Sequence, residues 1–495
     1  MENVKIGENK AFSVYSLVLL LAIYGGIVIT SVFGNLGNLS VLDIGPLALP
    51  SLGLFVLICL LAVWRRKLYF LFLVFAILAF PAPIDDLFIS VPLTNPDDRT
   101  QVVFPMITRI DLYLILGILL GVLGKGGKLR VIKFSLSLKV LLVLFLFVFL
   151  VNIFKSLDLW DFNLLLAYSF HLRYAILFLV LLQLYDIKNY QKELINGFVI
   201  SLVFLLLEAY INTLMRGSTR LLSGSLSLNS FANISAAISL FVIVLLRHRQ
   251  IKRSLGIFTL AVAMIILIGS ATRGAFLTLI LAYFLMYLLG NHRKIVLNTL
   301  RVAAGVALLL GAYVWASRNS HIPDRYSYQE IAKKIDINLS KNSLNEVIKI
   351  KSSRETNSIK SRIDLFDASL NMVVANPVTG IGVGRWNRHK NLYSENDRVP
   401  RVLLDTHNDY LALVSQYGIP LGLLFSWLIF FYPFYLHAKS KQKETGPLSH
   451  LYVINFAMGI AALSNSGFFK HQIAALLLMC FCITLQLHKD YAKAD

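Results

Sequence analysis

Cysteine is nearly missing from this 495-residue chain, which has only Cys59, Cys480 and Cys482, all inside apolar runs. That excludes a disulfide framework and a zinc site built on cysteine pairs. Charge of any sign is also scarce, at 15% of residues, against 57% hydrophobic residues and a mean hydropathy of +0.69. A soluble protein could not cover so much apolar surface, so the bilayer is the expected solvent. Acidic residues are the rarer sign, 27 against 47 Lys and Arg, for a net charge of +20. The excess forms no single patch and falls in short runs between apolar segments, which argues against nucleic acid and for membrane lipids as partner. The first apolar run, about 11–33, is too long for a signal-peptide core and lacks a small-residue cleavage site. No internal repeat or low-complexity tract is present beyond the hydrophobic bias.

What the chain has in abundance is runs long enough to cross hydrocarbon, about fourteen of them. Their approximate cores are 11–33, 44–64, 68–90, 110–124, 138–154, 172–185, 194–215, 230–246, 255–270, 274–290, 298–316, 410–436, 449–466 and 472–487. The expected fold is therefore all-α: a polytopic transmembrane helical bundle with one large, partly helical extracytoplasmic loop. Residues 1–316 form the first transmembrane region, 317–406 the loop, and 407–495 the C-terminal transmembrane helices.

Basic residues set the orientation. Arg65-Arg66-Lys67, the run Lys125 to Lys139, Lys188 with Lys192, Arg247 to Arg253, Arg293-Lys294 and Lys439 to Lys443 fall on alternate connections. Under the positive-inside rule these connections and both termini are cytoplasmic. The opposite side receives the Asp-rich stretch 85–98, the loop with Asp158 and Asp161, residues 215–229, the turn at Arg273, and 317–406. Within that last segment Ile363, Phe366, Leu370 and Val373 have helical spacing, so a helix is expected to rest that face on the membrane domain.

Three features of the outer side carry chemistry. Ser270-Ala271-Thr272-Arg273-Gly274 joins two spans; Arg362 precedes Asn376-Pro377-Val378-Thr379-Gly380-Ile381-Gly382; and Thr406-His407-Asn408-Asp409-Tyr410 leads into a span, followed by Gln416-Tyr417-Gly418-Ile419-Pro420. The glycines at 380–384 follow no strand, so a dinucleotide fingerprint is excluded and a tight turn is expected instead.

This ordered set resembles the O-antigen ligase and O-antigen polymerase family, membrane glycosyltransferases that handle undecaprenyl-pyrophosphate-linked glycans. The resemblance covers about residues 255–435, the N-terminal half matching only as a stack of spans. It implies that Arg273, Arg362 and His407 form the catalytic trio. The chemistry agrees: a guanidinium binds phosphate through paired hydrogen bonds and stays charged, and a histidine can accept the proton of an attacking sugar hydroxyl. Gly382, Asn408, Asp409 and Tyr410 are candidate substrate contacts. Arg216 and Arg220 are candidates for phosphate or glycan, with ordinary loop solvation as the competing reading. His171 and Arg173 read as lipid anchors at a span end. The adjacent pairs Asp85-Asp86 and Asp97-Asp98 read as solvated helix ends rather than a metal site.

The implied reaction is a metal-independent, inverting, cofactor-free transfer of glycan at the outer side of a bacterial inner membrane. The donor is undecaprenyl-pyrophosphate-linked glycan, and the acceptor is lipid A core (a ligase) or another lipid-linked glycan (a polymerase). A chain-length regulator is a further expected partner. The span count and the long loop lean toward the polymerase. A transporter or flippase of lipid-linked glycans is the alternative, disfavoured because the notable polar residues crowd the outer ends of the spans rather than their middles.

Overall fold

The computed structural model describes residues 48–79, 90–94, 101–105, 108–124, 170–215, 221, 226–289, 354–390, 392–394, 406–439, 446–464 and 467–491. The expected spans at 11–33, 138–154 and 298–316, the loop portions 317–353 and 395–405, and Arg216, Arg220, Asp85, Asp86, Asp97, Asp98, Asp158 and Asp161 lie outside them.

The described architecture is a helical bundle with one small hairpin. Its elements are α1 (Ala48–Trp64), α2 (Arg66–Leu78), β1 (Ser90–Thr94), β2 (Gln101–Pro105), α3 (Arg109–Gly124), α4 (Phe170–Leu184) and α5 (Gln191–Met215). There follow α6 (Leu228–Arg247), α7 (Arg253–Ser270), α8 (Arg273–Leu289), α9 (Arg354–Ala375), α10 (Trp386–His389), α11 (Asp409–Tyr417) and α12 (Ile419–Ser426). A π-helical turn, Trp427–Phe431, then leads into α13 (Tyr432–Lys439), and α14 (Tyr452–Ala461) and α15 (His471–Tyr491) complete the bundle.

Four stretches are helical, long and apolar enough to span a bilayer: Ile187–Leu214, Leu228–Arg247, Arg253–Ser270 and Ile419–Ala438. Shorter apolar helices stand beside them, so among the described residues the expected count of about fourteen is not reached.

Two expected spans are corrected. The run 68–90 is not one helix: α2 ends at Leu78, and Ser90 already pairs with Pro105 in the antiparallel hairpin. The run 410–436 is broken at Gly418, whose φ of 83° ends α11, while Pro420 sits in the first turn of the next helix. Glycine just past one helix and proline at the start of another is the chemistry of a stop followed by a start.

Small residues and reciprocal bonds pack the bundle. Ala232 and Ala236, four apart on α6, meet Leu267 of α7 and Ala275 of α8, letting three backbones approach closely. The α6 hydroxyls of Ser235 and Ser239 donate to Phe231 and Ser235 carbonyls four residues back, so neither brings an unsatisfied polar group into the apolar core. Tyr69 of α2 and Tyr113 of α3 stack at 4.9 Å, and each hydroxyl donates to the other's backbone carbonyl, at 3.2 and 3.1 Å. The π turn is similarly used: Asn455, wholly buried on α14, donates its amide to the Ile429 and Leu477 carbonyls at 2.7 and 3.0 Å.

The connections gather at two opposite ends. At one end Arg65, Arg66 and Lys67 share a cleft with Asn189 and Tyr190, Gly446 lies against Gln191, His450 stacks on His248, and Gln486 donates to Leu182 and Tyr185 carbonyls. At the other end Arg109 donates to the Ala76 carbonyl, Lys470 donates to Ser227, Leu221 donates to the Gly269 carbonyl, and the residues of the next subsection meet.

Candidate functional site

The site is assembled around one turn, Ala461–Ser464, at the C-terminus of α14. Asn408 Nδ2 donates to the Leu463 carbonyl at 3.1 Å, and the Asp409 backbone N–H donates to the Ala462 carbonyl at 3.0 Å. From another side comes the α7–α8 turn, where Ala271 closes α7 in a left-handed conformation, φ 53°, and exposed Arg273 opens α8. A Cβ on Gly274 would lie 3.6 Å from Ser464 Oγ. Arg273 and His407 are 134 residues apart in sequence, yet the arginine turn and the His407 segment thus lie beside the same four-residue corner.

His407 itself has φ 51°, a conformation that side-chain-bearing residues adopt at a cost of about 1–2 kcal/mol. Bonds on both sides of it hold it there. The Thr406 hydroxyl donates to the Asn408 carbonyl at 2.7 Å, and Asn408 Oδ1 caps α11 by accepting the Leu411 N–H at 3.1 Å. Asp409, 3% exposed, accepts the Gly467 and Phe468 N–H groups on its carboxylate at 2.9–3.1 Å. Tyr410 donates its hydroxyl to the Gly459 carbonyl at 2.7 Å.

The turn held by Asp409 is braced from behind. His171 Nε2 lies 2.7 Å from the Phe468 carbonyl, which can only accept, so that nitrogen carries the proton. Tyr174 Oη bridges His471 Nδ1 at 3.0 Å and Thr108 Oγ1 at 2.8 Å, and Thr108 donates onward to Asp111 at 3.0 Å. Arg173 grips Asp111 with Nε and Nη2 at 2.9 and 3.1 Å, a two-pronged pair. His171 is buried and Arg173 is engaged inward, which corrects the expectation that they anchor lipid. A helical register places both at a span end; only the packing reveals that it faces α3 and the 467–471 turn.

The second motif locks onto α11 through its backbone. Gly380, Gly382 and Gly384 have φ of 64°, 107° and 78°. Ile381 N–H donates to Ser415 O at 2.9 Å, Gly382 N–H to Gln416 O at 3.2 Å, Gly384 N–H to Gln416 Oε1 at 2.7 Å, and Ile419 N–H returns to Pro377 O at 2.7 Å. A side chain at Gly380 would collide with the Gln416 carbonyl, and one at Gly418 with the Val378 carbonyl. The expected tight turn is present, and its tightness serves a backbone crossing.

Arg362 lies on α9, which packs against α11. The buried face of α9 is Leu365, Ala368 and Met372, with Trp386 Nε1 donating to Ser369 at 3.0 Å. This corrects the expected face: Leu370 is 48% exposed. Two apolar stripes run along this helix, and the one facing Trp386 and Ile381 is covered. Among the described residues no group of three His, Cys, Asp or Glu side chains is arranged to hold a metal ion.

Sequence reasoning missed Asp111, Tyr174, His471 and the Ala461–Ser464 corner. Thr108-Arg109-Ile110-Asp111 carries a legible signal, since Ser or Thr followed three residues later by an acid is a helix-start box. The structure shows its reciprocal bonds, Thr108 N–H to Asp111 at 2.9 Å and Asp111 N–H to Thr108 at 3.4 Å.

No curated protein matches the chain. Residues 258–426 match the family model Wzy_C, described as O-Antigen ligase, a span containing Arg273, Arg362, the 376–384 turn and His407. The chain carries the domain of the O-antigen ligase family and is a glycosyltransferase-type enzyme of the membrane.

Proposed function

We propose that this enzyme transfers a glycan from undecaprenyl pyrophosphate to an acceptor sugar hydroxyl at the outer side of a bacterial inner membrane. The observation that carries the reading is the convergence of the Arg273 turn and the His407 segment on Ala461–Ser464. It brings a permanent cation and a titratable base to one end of the bundle.

In the proposed step His407 takes the proton of the acceptor hydroxyl as its oxygen bonds to the donor's anomeric carbon. The bond from that carbon to the pyrophosphate oxygen breaks, and its electron pair leaves with undecaprenyl pyrophosphate. Arg273 and Arg362 meet that charge with paired N–H donors. Attack from the face opposite the leaving group inverts the anomeric configuration. Arg362 fits this role by placement: α9 and α11 are tied at their C-terminal ends and pack together, and Arg362 and His407 both precede that junction.

The polar atoms of Asn408, Asp409, Tyr410 and Gly382 are engaged within the protein. In this reading they shape the site, and their contact with substrate is through the geometry they impose on His407 and the 376–384 turn. Arg216 and Arg220 remain candidates for the glycan or phosphate.

With both termini and the short basic connections cytoplasmic, 317–406 faces outward, where lipid-linked donors are presented. The test uses purified enzyme with a lipid-linked donor in excess EDTA. Transfer with inverted product is expected to persist, because guanidinium groups supply what a divalent cation would. Complete loss restored by Mg²⁺ or Mn²⁺ would overturn the metal-independent mechanism.

A further inference from the structure

At the end of the bundle opposite His407, the three cations Arg65, Arg66 and Lys67 line an open cleft of about 630 Å³ together with Asn189 and Tyr190. That volume lies within the usual range for small-ligand sites, about 300–1,000 Å³. None of these residues belongs to the transfer site. The cleft exists because the chain breaks for one residue between α1 and α2: Arg65 has extended φ and ψ of −134° and 107°, so three consecutive cations fan around a helix start. The facing wall is a single 3₁₀ turn, Ile187–Tyr190, whose Tyr190 ring is fixed by stacking on Phe70 at 4.1 Å.

Charge in the cleft is one-sided. Among the described residues the nearby carboxylates are Asp186, whose side chain accepts the Lys188 N–H, and Glu193 in the first turn of α5. Against those two stand Arg65, Arg66, Lys67, Lys188 and Lys192. Guanidinium, ammonium, phenol and amide donors around one opening are the complement of a phosphate.

What distinguishes a lipid phosphate from a free one is the surface below the cleft. Leu57, Leu60 and Trp64 are 51%, 36% and 67% exposed and recur at helical spacing along one face of α1, ending beside Arg65, whose guanidinium lies 5.0 Å from the Trp64 ring centroid. An apolar stripe leading from a cationic cleft toward the middle of a membrane span suits an acyl chain and its headgroup.

We infer that the Arg65–Lys67 cleft with Asn189 and Tyr190 is a binding site for an anionic phospholipid, headgroup phosphate in the cleft and acyl chain along Leu57, Leu60 and Trp64. It lies away from the transfer chemistry and does not depend on it. Under the positive-inside pattern the lipid comes from the cytoplasmic leaflet.

The full-length protein, purified in mild detergent, is titrated by native mass spectrometry with phosphatidylglycerol, with phosphatidylcholine and with glycerol phosphate. Phosphatidylglycerol is expected to bind and the other two to bind far more weakly. Arg66→Gln/Lys67→Gln should lose roughly thirtyfold in affinity, the effect of two cations near a lipid surface. Arg249→Gln/Arg253→Gln, which removes the same charge from exposed positions of another connection at this end, should retain wild-type affinity. Because charge removal can disturb insertion, Asn189→Ala/Tyr190→Phe provides a variant of unchanged charge, expected to bind several-fold more weakly. Equal losses in both charge variants, or wild-type affinity in the cleft variants, would overturn the site. Glycerol phosphate binding as tightly as the lipid would replace it with a free-anion site.

Discussion

The carboxylate of Asp409 holds the backbone N–H of Phe468, at 3.0 Å, so the residue two beyond His407 fixes the turn that opens the last helix. Phe468 in turn gives its carbonyl to His171, at 2.7 Å, which links α11 to α4 through one residue. His407 is therefore held by a chain of contacts that crosses the bundle.

Asp409→Ala should leave the Gly467 and Phe468 N–H groups without their buried acceptor, at a cost of about 1–3 kcal/mol for each orphaned donor. We expect a lower melting temperature in detergent and a fall in transfer rate greater than the change in donor affinity. Asp409→Asn keeps one carbonyl oxygen and should lie between the two. A variant with wild-type melting and wild-type rate would remove Asp409 from the positioning of His407.

Gly380→Ala and Gly418→Ala should each destabilise the protein, since both residues have positive φ and touch backbone where a Cβ would stand. Gly274→Ala is the contrast: its Cβ would meet Ser464 Oγ at ordinary contact distance within α8. It should leave melting close to the wild-type value, since Gly274 stands in the first turn of α8, where alanine's helix preference gains less than in a helix interior. Melting curves of the three variants followed by size-exclusion chromatography decide this, and equal stability for all three would contradict the backbone crossing.

Asp111→Asn should cost more stability than Arg173→Gln. Asp111 is 4% exposed at its side chain and both pairs with Arg173 and caps the start of α3, whereas Arg173 is 31% exposed. Combining the two substitutions should cost less than the sum of the single losses, the sign of a direct interaction. Strict additivity in thermal melting would show the pair to be incidental.

Deleting the gene should separate the two acceptors. If the enzyme is a polymerase, the version that a loop as long as 317–406 would favour, its loss leaves surface glycan one repeat long. Recovery of long polymer still linked to undecaprenyl pyrophosphate, with none on lipid A, would establish the ligase instead.

The pattern of apolar runs placed α3 to α8 within a few residues, because each is a long uninterrupted stretch between basic or turn-forming connections. The motif series likewise located the matched family domain, expected over about 255–435 and found over 258–426. Hydropathy failed where apolar residues do not imply one helix: Gly418 and Pro420 break a run that stays hydrophobic throughout, and Ser90 lies in a strand. The covered face of α9 depends on Trp386, which follows it by eleven residues and leaves no periodic trace within the helix. The Ala461–Ser464 corner was invisible because it holds the His407 segment through backbone carbonyls, which every sequence has.

Glycan transfer by His407→Ala, measured with membranes containing normal amounts of the inserted variant and a lipid-linked donor, bears most directly on the proposed chemistry. Loss of the base is expected to lower the rate by roughly 10²–10⁴-fold while the protein inserts and melts as the wild type does. Transfer near the wild-type rate would show that the proton leaves the acceptor by another route and that the corner at Ala461–Ser464 is not the catalytic centre.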